Sequence, residues 1–61
     1  MTPEERYELA DRAVHHWLLI LAGSLSPAQR LAAQYDLIRA VGRRVRARLA
    51  LEEVEHEVVA A

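Results

Sequence analysis

Five guanidinium groups lie in one short stretch, at Arg39, Arg43, Arg44, Arg46 and Arg48, with no acid among them. On a helix Arg39, Arg43 and Arg46 share one flank and Arg44 and Arg48 the other, because side chains one or two turns apart stack on the same face. Guanidiniums held on a rigid helix can neutralise successive phosphates of a nucleic acid or meet the carboxylates of an acidic protein. Three features weigh against phosphate. The formal net charge is −1, no aromatic residue interleaves the cluster to stack on bases, and Glu52, Glu53, Glu55 and Glu57 follow at once. The cluster therefore reads first as solvated charge pairing with Asp36, with Glu52 or with acids of a neighbouring chain, or as the contact for an acidic protein partner. Nucleic acid is the second reading.

Other constellations are thinner. Glu53 and His56 have the Glu-x-x-His spacing of di-iron bundles, and Glu8, Asp11 and His15 follow one another along a helix face. Such intervals arise by chance on any charged helix, so no metal and no cofactor is expected. His15 and His16 beside Trp17 read as surface histidines of a bundle rather than a pH-responsive pair. No glycine-rich phosphate loop is present, nor a Ser/His/Asp set with a scaffold to hold it, and so small a bundle offers no substrate-sized pocket. The expectation is a protein that is not an enzyme, with no catalytic residues and no small-molecule substrate. A helix-turn-helix reader is disfavoured, because Pro27, Ala28, Gln29, Arg30 and Leu31 offer little base-reading chemistry.

The elements that carry these residues are marked by their ends. Thr2, Pro3 and Glu5 open a helix as cap, first residue and capping-box partner, and Ser26, Pro27 and Gln29 repeat the grammar. Between them Gly23 can take the left-handed conformation that closes a helix. The spacing predicts one domain over residues 1–61, all-α: helix 1 over 3–22, a turn over 23–26 and helix 2 over 27–59, a two-helix antiparallel hairpin. A break near 42–50 is the alternative to a continuous second helix.

In helix 1, Tyr7, Ala10, Val14, Trp17, Leu18 and Leu21 form a stripe expected to face helix 2, flanked by Leu9, Ala13 and Ile20. In helix 2 the stripe Leu31, Tyr35, Ile38, Gly42, Val45, Leu49 is expected to face helix 1, with Leu31 level with Leu18 and Gly42 leaving room for the Tyr7 ring. Past residue 47 the apolar pattern moves to Ala47, Leu51, Val54 and Val58, a face nearly opposite. An overhanging end that is apolar on a new side calls for cover from another chain. The oligomer or partner interface is therefore expected at Leu9, Ala13, Trp17, Ile20, Ala47, Leu51, Val54 and Val58.

The simplest architecture is a homodimer of hairpins forming a four-helix bundle. In length and two-helix plan the chain resembles the small plasmid RNA-binding hairpin dimers of the Rop type; the likeness is architectural, and no functional residues carry over from it. At 61 residues the core is small and oligomerisation is the usual remedy. Cysteine is absent, and every basic residue is Arg, as codon usage in a GC-rich genome or a need for guanidinium would each produce. The apolar run Trp17 to Ala22 is too short to span a membrane. The expected partners are a second copy or a larger protein, in the cytoplasm. The expected role is an interaction and oligomerisation module acting as a small regulatory or assembly factor, with a dimeric nucleic-acid regulator as the alternative.

Overall fold

A computed structural model describes the backbone of residues 1–60 and the side chains up to Glu57. The chain is all-α: α1 spans Pro3–Leu21 and α2 spans Pro27–Ala60, packed against each other as a hairpin. Its extents of 52 × 16 × 13 Å are those of a rod as long as α2, since 34 residues rise about 51 Å. The radius of gyration is 14.8 Å, against roughly 10.5 Å for a compact chain of this length.

Both helix starts are held by side chains. The Glu5 amide donates to Thr2 Oγ1 at 3.1 Å, and that hydroxyl donates to Glu5 Oε1 at 3.1 Å. At α2 the bonds are reciprocal: the Gln29 amide donates to Ser26 Oγ at 3.2 Å and the Ser26 amide to Gln29 Oε1 at 3.0 Å. The Ser26 box satisfies two amides that have no partner inside the helix, whereas at Thr2 only the Glu5 amide is capped and the Glu5 carboxylate takes the Thr2 hydroxyl in place of the Thr2 amide expected of a full box. The end of α1 differs from the expectation. Neither glycine has a positive φ. Instead the last turn tightens, with the Gly23 amide donating to the Ile20 carbonyl at 3.1 Å, and Arg30 Nη1 reaches the Leu21 carbonyl at 3.4 Å. With those carbonyls occupied, no left-handed residue is required.

The larger correction concerns which face of α2 meets α1. The buried residues are Ala10 and Val14 of α1 and Ala33 and Ala40 of α2. Around them Tyr7, Trp17, Leu21, Leu37, Arg44, Ala47 and Leu51 are half-buried. The seam on α2 is therefore Ala33, Leu37, Ala40, Arg44, Ala47, Leu51, a heptad-spaced line. Leu31, Tyr35, Ile38, Val45 and Leu49, expected in that place, are each more than half exposed, Ile38 at 66 %. Nor is Tyr7 level with Gly42: its ring lies among Arg44, Val45, Arg48 and Leu49.

This face wins for two physical reasons. Alanines let two helix backbones approach closely, which raises dispersion contact along the whole seam. It also brings Arg44 onto Asp11 and Arg48 over Tyr7, polar contacts that the leucine-bearing face does not offer. Ala47 and Leu51 thus continue the face that meets α1. The apolar pattern does not switch sides past residue 47; it runs on until α1 ends. Met1 and Ala50 line the same groove, and beyond them Val54 is exposed.

The core is correspondingly slight. At about 0.8 kcal/mol per buried carbon, three alanines and a valine contribute on the order of 5 kcal/mol. Ala40→Leu, which forces three extra carbons into a buried position of the seam, is expected to destabilise the hairpin by about 1–3 kcal/mol in chemical denaturation. Ser26→Ala should cost about 1 kcal/mol through the lost cap. An unchanged midpoint for Ala40→Leu contradicts the alanine-faced packing.

Candidate functional site

The helix hairpin divides the arginine cluster into two groups. Arg44 Nη1 donates to Asp11 Oδ1 at 3.1 Å across the two helices, both side chains about one third exposed. Asp11 Oδ2 also lies 3.5 Å from His15 Nδ1, a contact that becomes an ion pair when the imidazole is protonated. Arg48 sits with its guanidinium carbon 5.9 Å from the centre of the Tyr7 ring and its Nε 3.3 Å from Glu52 Oε1. Tyr7 first and Glu52 second hold the Arg48 pKa above its ordinary value. These two arginines fasten α2 to α1 and to its own next turn.

Arg39, Arg43 and Arg46 form the other group, and all three are exposed. Arg46 Nε donates to the Gly42 carbonyl at 3.3 Å. Among the described residues no acid pairs with any of the three, and Asp36 pairs with no arginine. The partner that sequence reasoning missed is Asp11, which only the register of the hairpin places beside Arg44.

Two apolar surfaces flank this charge. The first is a groove of about 370 Å³ between the helices, with Leu9, Ala10, Ala13, Ala47 and Ala50 along its floor and Arg6, Arg43 and Arg46 at its rim. Of the residues expected at an interface it brings together Leu9, Ala13 and Ala47. Trp17, edge-on to His16 at 5.1 Å between ring centres, is half-buried, as are Ile20 and Leu51. Val58 lies outside the described side chains.

The second surface is the bare face of α2. Leu31, Tyr35, Ile38, Gly42, Val45 and Leu49 recur at alternating steps of four and three, a second heptad seam almost diametrically opposite the one that meets α1. Gly42 is its odd member. A Cβ built there would meet nothing closer than Arg46 Nη2 at 3.7 Å, so no neighbour in the chain requires a glycine. Yet glycine inside a helix costs about 1 kcal/mol against alanine. The whole chain exposes 4883 Å², where a compact monomer of 6.9 kDa exposes roughly 4,000 Å². The excess of roughly 900 Å² is that of a rod 52 Å long over a globule of the same mass. The signal that could have found this face in the sequence is the unbroken heptad line from Ala33 through Leu51, which leaves the leucine-bearing line largely uncovered by α1, with only the Tyr7 ring beside Val45 and Leu49.

Among the described residues no three acids, histidines or cysteines cluster as metal ligands, and no helix is long and apolar enough to cross a membrane. Compared with known proteins, the chain matches no family model, no curated sequence and no solved structure.

A double-mutant cycle on Asp11→Asn and Arg44→Gln, read by thermal unfolding, is expected to give a coupling of about 1 kcal/mol or less, falling as salt is raised. Zero coupling at low salt would remove that pair from the account of why this face of α2 is chosen.

Proposed function

We propose that the protein is a non-enzymatic helical interaction module. Two hairpins join through the bare seam, α2 against α2 with each α1 on the outer side, and the assembled four-helix dimer presents charged flanks to a larger partner as a small regulatory or assembly factor. The observation that carries this reading is the second apolar seam: five large side chains in heptad spacing, each more than half exposed. Contiguous apolar surface of that kind on a small protein marks a contact site. The slightness of the hairpin's own core supports the same reading, since association supplies the burial that the single chain lacks.

Sedimentation velocity over a wide concentration range tests it. The wild-type chain is expected to pass from monomer to dimer as concentration rises. Leu31→Asp with Ile38→Asp, both on the outer face, is expected to hold the chain at the monomer mass. A dimer that survives both substitutions contradicts this use of the seam.

The alternative reading is nucleic-acid binding, and one observation favours it: the exposed row Arg39, Arg43 and Arg46 without acid partners among the described residues. In anisotropy titrations of labelled duplex DNA, three phosphates neutralised per chain give a log–log salt slope of roughly −3. Arg39→Glu with Arg43→Glu and Arg46→Glu should then abolish binding and leave the hairpin folded. No binding at low salt retires the alternative and leaves the row to solvent or to an acidic protein.

A further inference from the structure

We infer that the second copy lies antiparallel along α2, with the two-fold axis at the level of Ala40, so that Ile38 of each chain fills the notch over Gly42 of the other. The inference rests on the dimer reading above and adds to it the direction and register of pairing.

Three observations carry it. The first is the spacing of the exposed seam. From Leu31 to Leu49 the steps are four, three, four, three, four, the same read from either end. An antiparallel copy therefore sets every seam residue against a seam residue: Leu31 against Leu49, Tyr35 against Val45, Ile38 against Gly42. The second is size. Ile38 is the most exposed of the five large seam residues at 66 %, and Gly42 is the one place on the seam without a side chain. Antiparallel pairing joins protrusion to notch twice, as close packing requires. Parallel pairing would stack Gly42 on Gly42, leaving a void, and Ile38 on Ile38. The third is exposure, because all five large seam side chains are more than half exposed and a second copy laid along α2 covers them together. Opposed helix dipoles also favour the antiparallel sense. The arrangement brings Arg39 close to its own copy across the axis. That repulsion is exposed and screened over roughly 10 Å at moderate salt, so raising salt should tighten self-association.

The chain has no cysteine, which makes cross-linking direct. Leu31→Cys and Leu49→Cys are prepared as single variants and oxidised gently, alone and mixed. Antiparallel pairing predicts a disulfide-linked dimer in the mixture and little in either variant alone. Homotypic cross-links in each variant alone would overturn the antiparallel register while leaving the dimer standing. A chain that sediments as a monomer at every concentration would overturn both, and would give the seam to a helix of another protein. Gly42→Ile provides the second test, since a Cβ at this position lies 3.7 Å from the flexible arm of Arg46 and meets nothing closer within its own chain. It is expected to weaken self-association at least tenfold, and the exchange Ile38→Gly with Gly42→Ile is expected to recover most of that loss. Tighter association of Gly42→Ile alone is the parallel result and overturns the inference.

Discussion

A helix can turn only one face toward a single neighbour, and α2 carries two apolar faces. Everything distinctive about this chain follows from that mismatch. The hairpin turn supplies one neighbour, α1, and α1 is met by the face bearing Ala33, Ala40 and Ala47. The face bearing the larger side chains is left in water, where Leu31, Tyr35, Ile38, Val45 and Leu49 stay more than half exposed. A chain so arranged is poorly stabilised alone, because its buried set is small and its exposed set large.

The ends of the helices were legible because their chemistry is local. Ser26 with Gln29 makes both bonds that the types and spacing dictate, and Thr2 makes the cap to the Glu5 amide. The stop after α1 was legible in place but not in mechanism, since Arg30, nine residues on, takes a carbonyl that a left-handed glycine was expected to relieve. The choice of face was not legible from hydropathy. Summed hydrophobicity ranks a line of Leu, Tyr, Ile and Val above a line of Ala, yet alanine lets backbones come together and leaves the bulky line for a wider contact. The apparent change of face past residue 47 has the same origin: the alanine line is inconspicuous until Leu51 and Val54 make it visible.

Charge follows the same division. Arg44 and Arg48 lie beside α1 and are engaged by Asp11, Tyr7 and Glu52. Arg39, Arg43 and Arg46 are exposed, Arg43 and Arg46 at the rim of the groove beside α1, with no acid partner among the described residues. A cluster that looks uniform in sequence is thus part fastening and part open surface. Antiparallel pairing of two chains would bring the open parts of both onto one flank, doubling the charge available to an anionic partner.

The claim that α2 has one face for α1 and one for another chain is tested most directly by hydroxyl-radical footprinting across a dilution series. The account predicts that Leu31, Tyr35, Ile38 and Leu49 are labelled in dilute protein and become protected as concentration rises, while the half-buried Trp17 and Leu37 change little. Protection of those four side chains in protein dilute enough to sediment as a monomer would mean that α1 covers them. Labelling at every concentration would mean that no second copy does, and either result contradicts the account.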